Sequence, residues 1–341
     1  MKLKVLIGIP VTLILAATWK TGKNTEVGGM PVMAQAAERE CVHIGHIIQA
    51  TDTVRLQRFG VGEFSPTSLG AKLCAGDRLQ VAGSANAAFH CFEKNDFISV
   101  PPGKPWEVSA HCPQPSNSIS SPDGPIPNPR GNQGQLNIIT PSHNTALLNF
   151  RPVFRWDGFD GASSYTLHLE GVGVNWTRAG VTGTELAYPS EESELQYGNT
   201  YSLTIIAENN KSTENLAQET VRFSTLDEDE AEVVRKRKQE IEEKRFAEEA
   251  QVLALVGLYR QYNLNVDAIA ILEASLKGVM ETADVYLTLG ELYMQVGQYE
   301  QALKHYKQAL DLAISTGNIA AQAEAEIQII KLDKAQKVVG F

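Results

Sequence analysis

The sequence predicts a multidomain chain: a small all-β domain, a β-sandwich, then an all-α repeat solenoid. Three observations lead there. All four cysteines lie in one early segment, from Cys41 to Cys112, where short β-rich runs are broken by glycine. A second segment, from about 146 to 225, shows apolar side chains alternating with a period of two. Beyond it the pattern becomes helical, and apolar positions recur 34 residues apart. A chain of 341 residues also exceeds one ordinary hydrophobic core.

The chain begins with Lys2 and Lys4, followed by the apolar run VLIGIPVTLILAA from Val5 to Ala17. Ala34 and Ala36 then form a small-x-small site before Ala37. This is the order of a secretory signal peptide over 1–36. The spacer TWKTGKNTEVGGMPVM is long for a cleavage region, so an uncleaved membrane anchor is the alternative, although the apolar run is short for a full span. The expected location is the periplasm or the extracellular space, or else the outer face of the cytoplasmic membrane. Four cysteines confined to a small region fit an oxidising compartment and two disulfides among Cys41, Cys74, Cys91 and Cys112. Three pairings are open.

Residues 41–112 read as a compact β-roll or barrel. GHIIQATDTVRLQRFG gives a strand, a turn and a strand, and KLCAGDRLQVAGSANAAFHCFE gives two more around the turn Ala75-Gly76-Asp77. The features Val54-x-Leu56-x-Arg58 and Leu69-Gly70-x-x-Leu73-x-x-Gly76-Asp77-x-Leu79, followed by Ala87 and Ala88, resemble the FecR-like domain of bacterial envelope proteins. That resemblance implies envelope signalling or a non-catalytic module and supplies no catalytic residues.

From 113 to 145 the stretch rich in Pro, Ser, Gly and Asn reads as a linker. In 146–225 the strand candidates are Val153–Trp156, Tyr165–Glu170 and Tyr201–Ala207. Tyr165, Leu167 and Leu169 share one face. Pro152, Trp156, Gly161-Ala162-x-x-Tyr165, Leu186, Tyr188-Pro189 and Leu195-x-x-Gly198-x-x-Tyr201 resemble a fibronectin type III-like sandwich. Such sandwiches host many functions.

A charged helix over 226–246 follows, with Thr225 as the expected N-cap. Residues 247–341 carry the sharpest motif. Tyr286, Leu289, Gly290, Tyr293, Gly297, Tyr299, Ala302, Tyr306 and Ala309 resemble a tetratricopeptide repeat. Ala302 needs a small side chain where two helices meet, and the aromatics fill the space between them. Shifting back 34 residues gives Val252, Leu255, Tyr259, Ala268, Leu272 and Ser275. Gly290 is then matched by Val256, with Gly257 one position away. Shifting forward gives a worn third repeat through Ala320, Ala323 and Ile327. The resemblance implies a partner-binding concave face formed by the first helix of each repeat, with Thr288, Glu291 and Gln295 on it.

The function expected is that of a non-catalytic extracytoplasmic adaptor holding a protein or peptide partner through the helical repeats. A net charge of −10 argues against nucleic acid. No cofactor is expected. His43, His46, His90 and His111 lie near cysteines, so structural zinc or a Cys-His nucleophile are alternatives to disulfides. Paired Cys-x₂₋₄-Cys knuckles are absent from the sequence. Two rival roles remain: a membrane-anchored envelope signalling component, and a cell-wall or glycan binder using an exposed aromatic such as Trp176.

Overall fold

A computed structural model of the chain describes residues 41–51, 53–114, 136–209 and 215–338. The leader or anchor expected at 1–36 and most of the expected linker lie outside the described residues. The architecture is a β-sheet region followed by an α-helical repeat region.

The first unit contains β1 (His43–Gln49), β2 (Val54–Gln57), β3 (Ser65–Pro66), β4 (Lys72–Cys74), β5 (Arg78–Val81), β6 (Ala87–Cys91), β7 (Asp96–Val100) and β8 (Trp106–Glu107). They form two four-stranded sheets, ordered β4-β1-β6-β7 and β3-β2-β5-β8. Ile44, Val54, Leu56, Leu73, Leu79 and Phe89 fill one core between them. The disulfides are Cys41–Cys74 and Cys91–Cys112, so no cysteine is free. Cys91–Cys112 is wholly buried and spans a sequence separation of 21. Restricting a loop of that length in the unfolded chain stabilises by about 3 kcal/mol. The double replacement Cys91→Ala, Cys112→Ala is expected to lower stability by about that amount, read from urea unfolding.

The second unit contains β9 (Ile138–Thr140), β10 (Ala146–Leu147), β11 (Val153–Trp156), β12 (Ser164–Gly171), β13 (Val174–Val181), β14 (Glu185–Ala187), β15 (Thr200–Glu208) and β16 (Asn215–Thr225). A five-stranded sheet, β10-β16-β15-β12-β13, shares its core with a three-stranded sheet, β14-β11-β9. Tyr165, Leu167 and Leu169 are buried; on the other face Glu170 is exposed and His168 half-buried, but Thr166 is buried, its hydroxyl donating to Glu208 at 2.9 Å. Two details differ from expectation. The unit starts earlier than residue 146, because Ile138 and Thr140 pair with β11 across from Trp156 and Arg155. Trp176 is not an exposed platform. It is buried beside Phe154 and Tyr188, which removes the residue on which glycan binding was argued.

The helices are α1 (Glu228–Glu243), α2 (Glu248–Gln261), α3 (Asn265–Ala274), α4 (Ala283–Gln295), α5 (Tyr299–Thr316) and α6 (Ile319–Val338). Helix α1 is capped by Asp227, whose carboxylate accepts from Glu230 N–H at 2.8 Å. Thr225 cannot serve there, because it still belongs to β16 and its hydroxyl donates to the Gln196 carbonyl. The pairs α2/α3 and α4/α5 reproduce the repeat spacing, whereas the third repeat is a single long helix, α6. Leu289, Ala302, Tyr306 and Ala309 are fully buried, and Tyr286 and Tyr293 nearly so. A Cβ on Gly290 would come within 2.4 Å of the Tyr306 ring, so only glycine lets α5 approach α4 there.

Candidate protein-interaction site

The first helices of the repeats, α2, α4 and α6, form the face that the tetratricopeptide resemblance assigns to partners. In this chain the face is already covered. The β-domain sits on it, with β1 lying against α2. Ile48, Ala88 and Phe97 of the β-domain join the same apolar cluster as α2 and α4.

The polar heart of the contact is built around Lys72. The β-domain's own Arg58 and Asp77 hold the strand that carries it. Arg58 Nη1 donates to the Lys72 carbonyl at 2.7 Å and to Asp77 Oδ2 at 2.8 Å. Asp77 also accepts from the Cys74 and Phe59 amides at 2.9 and 3.0 Å. Arg58 and Gly76-Asp77 of the sequence motif thus form a clasp that aims Lys72 outward.

The Lys72 ammonium then donates to Glu291 of α4 and Glu324 of α6. Glu291 also accepts from Arg260 Nη2 of α2 at 2.8 Å. Three helices are therefore tied to one loop. Burial opposes the charge on Lys72, but Glu291 and Glu324 outweigh it and lift its pKa above the ordinary value. Burial would raise Glu291, but Lys72 and Arg260 pull it below the usual carboxylate range. Two turns earlier on α4, Ser68 donates to Asp284 at 2.6 Å, and Asn318 donates to the same oxygen at 2.9 Å. Thr282 donates to the Leu69 carbonyl at 2.7 Å. Gly70, at φ +86°, is also where the loop turns over Val285, whose Cγ2 would lie 2.6 Å from an added Cβ.

Thr288 and Glu291 are accordingly buried, and Gln295 is half-buried. The sequence placed these three on the partner face. It did not reveal that the chain's own first domain covers that face, nor the roles of Asp284, Arg260, Glu324 and Lys72.

Beside this polar cluster lies an aromatic one. His43, His46 and His90 surround Phe92, with ring centroids 4.9, 5.2 and 5.6 Å from it. Phe92 presses on α2 at Gly257. A Cβ there would lie 2.4 Å from the Phe92 ring. That explains why the first repeat is degenerate. Val256 takes the register position of Gly290, while Gly257 makes room for the other domain. A solvent-facing Gly→Ala change within a helix normally gains about 1 kcal/mol. Gly257→Ala is expected to lose stability instead, by roughly 1–3 kcal/mol from overpacking, because Phe92 is fully buried and cannot swing away. Urea unfolding checks the sign.

A second seam joins the β-domain to α1 and the segment after it. Asn95 Nδ2 donates to Glu240 at 2.9 Å, and Lys244 Nζ donates to Asp96 at 2.9 Å. The Phe97 and Phe246 rings meet edge-on at 4.4 Å. The sandwich touches the repeats too, since Ala146 N–H donates to the Asn263 carbonyl at 2.9 Å.

Both thiol pairs are oxidised, so the thiolates that zinc or nucleophilic chemistry requires are not present. Among the described residues no group of three or more His, Cys, Asp or Glu side chains could hold a metal ion. Among them also, no helix is long and apolar enough to cross a membrane.

Residues 283–313 match the tetratricopeptide repeat family model, a helical-pair repeat consistent with a protein-interaction role. No curated protein matches the chain. A β-1,2-glucanase from Parabacteroides distasonis, known from its crystal structure, aligns over 88% of this chain at 11% identity with a TM-score of 0.22. The alignment covers 50% of that protein's chain, so this chain spans about half its length. A likeness at that level carries no argument about fold or activity.

Proposed function

We propose that this chain is a non-catalytic extracytoplasmic adaptor or scaffold that binds a protein partner through its helical repeats, with a FecR-like domain and a fibronectin type III-like sandwich in series before them. The observation that carries the reading is the face of α2, α4 and α6. It gathers Arg260, Asp284, Glu291 and Glu324, and their engagement by Ser68 and Lys72 of the β-domain supports this face as one that binds a polypeptide surface. Two disulfides and the apolar run at 5–17 support a place outside the cytoplasm, in the periplasm or beyond, or anchored to the outer face of the cytoplasmic membrane.

A second reading, an envelope signalling or regulatory component with the FecR-like domain as sensor, is favoured by that domain's direct seat on the repeats. A domain so placed couples its own state to theirs. Crosslinking of the tagged full-length chain in its native cells, followed by identification of what co-purifies, tests the adaptor reading. A reproducible partner attached at α2, α4 or α6 is the expected result. Nothing above the background of an unrelated exported control would overturn it.

A further inference from the structure

We propose that the face formed by α2, α4 and α6 is a receptor for a lysine side chain carried on a short β-loop. In the isolated chain it is occupied by the chain's own Lys72, and a partner engages it by presenting a lysine in its place. This rests on the adaptor reading and adds the chemistry of the partner and the device that regulates its access.

The argument does not depend on the carboxylates alone, because a ligand of the stated chemistry is seated there. Lys72 reaches Glu291 and Glu324 together, from two different helices. Its backbone is gripped by Arg58, so the ammonium arrives already aimed. The four residues before it supply the other recognition elements: the Ser68 hydroxyl to Asp284, the Leu69 carbonyl to Thr282, and Gly70 close over Val285. Arg260 answers one oxygen of Glu291, and Asn318 steadies Asp284 while accepting from the amide of Ala321 at the start of α6.

Removing Lys72 leaves Asp284, Glu291 and Glu324, three carboxylates, facing two cations, Arg260 and the more distant Arg58. Such a face attracts a positive side chain and repels an acidic one. Covalent membership of one chain favours the cis occupant over a free one. A partner must therefore outcompete Lys72, or act on a chain in which the loop has been released.

The test uses the full chain and a fluorescent peptide with the sequence of residues 64–73, FSPTSLGAKL, which ends just after Lys72. Lys72→Glu places a third carboxylate against Glu291 and Glu324 and is expected to raise deuterium uptake over residues 283–295. Leu69→Glu, which leaves Lys72 in place, is expected to do the same by removing an apolar contact of the loop. Each opened chain is expected to bind the peptide at least tenfold more tightly than the parent. A peptide with norleucine for its lysine is expected to bind at least tenfold more weakly.

Equal binding of the two peptides, equal binding by parent and variants, no binding to an opened chain, or unchanged deuterium uptake in both variants would each overturn the proposal. The adaptor reading fails separately. If the opened chain discriminates the peptides but no envelope protein is ever retained, the lysine receptor stands and the adaptor role falls.

Discussion

Replacing Asp77 by alanine is expected to destabilise the chain by roughly 3 kcal/mol, the low end of the cost of breaking a buried ion pair. Asp77 is buried and accepts three hydrogen bonds, from Arg58 and from the amides of Phe59 and Cys74. Alanine leaves all three donors without their acceptor, and a buried unpaired donor costs about 1–3 kcal/mol. Arg58 retains some access to water, which places the figure at the low end. The loss also reaches the repeats. Arg58 fixes the Lys72 backbone, so its release loosens the ammonium held by Glu291 and Glu324. Urea unfolding and deuterium uptake at α4 are both expected to change. Asp77→Asn keeps an acceptor and is expected to cost less. A change below about 1 kcal/mol for the alanine variant would place it among ordinary surface substitutions and contradict the clasp.

Acidification from pH 6.5 towards 4 is expected to weaken the chain more steeply than its carboxylates alone require. His43, His46 and His90 are held below the ordinary imidazole value, in each case first by burial. His43 faces His46, Arg260 and Lys72, with the Gly45 carbonyl opposing them. His46 faces Arg260, His90 and Lys72, with Glu291 opposing. His90 is lowered to about 4, with Lys244 and Arg237 adding to burial, and Asn95 and Asp96 opposing it. The unfolded chain takes up a proton at each site near pH 6.5, whereas the folded chain does so only well below. Stability that is complete above pH 6.5 is therefore lost as the pH falls. For His90 the loss by pH 4 is roughly 3 kcal/mol.

Neither ring nitrogen of His46 has a protein partner, so the folded state offers its imidazolium no acceptor. The window between pH 6.5 and 5 separates this effect from Glu291, whose contribution starts to fall away only as the pH drops through the ordinary carboxylate value towards its own lowered one. The denaturation midpoint measured across that window should drop. His46→Leu with His90→Leu should make the drop smaller, the remainder coming from His43 and His305, which burial also lowers. A flat profile in the parent chain would contradict the assignment of these imidazoles as neutral and buried.

The local rules were legible in the residues. Alternation at Tyr165, Leu167 and Leu169 marked a strand with one buried face, because a strand turns its side chains to opposite sides. The 34-residue recurrence marked paired helices, because each pair must bury the same positions against its neighbour. Tyr286, Gly290, Ala302 and Tyr306 occupy the packing positions their sizes required.

What lay hidden depends on contacts distant in sequence. Four cysteines allow three pairings, and only the fold brings Cys41 to Cys74 and Cys91 to Cys112. Thr225 has the chemistry of an N-cap, but pairing in β16 held it in the sheet and left the role to Asp227. Trp176 lies on a strand whose exposed neighbours gave no sign of which face met the second sheet. Lys72 and Glu324 stand 252 residues apart, and nothing local to either records the other. One trace was present. The glycine of the first repeat is out of register by one position, at Gly257, where Phe92 now sits. A repeat that departs from its own pattern at a close-packing position signals an outside contact.

The central claim is that the first β-domain occupies the repeat face of its own chain. A zero-length carbodiimide, which joins a lysine to a carboxylate already in contact, tests it without altering any residue. In the monomer fraction, mass spectrometry is expected to find Lys72 joined to Glu324 or Glu291, a link that crosses from the β-domain to the repeat helices. Recovery of links within each region without a Lys72 link to either glutamate would contradict the account.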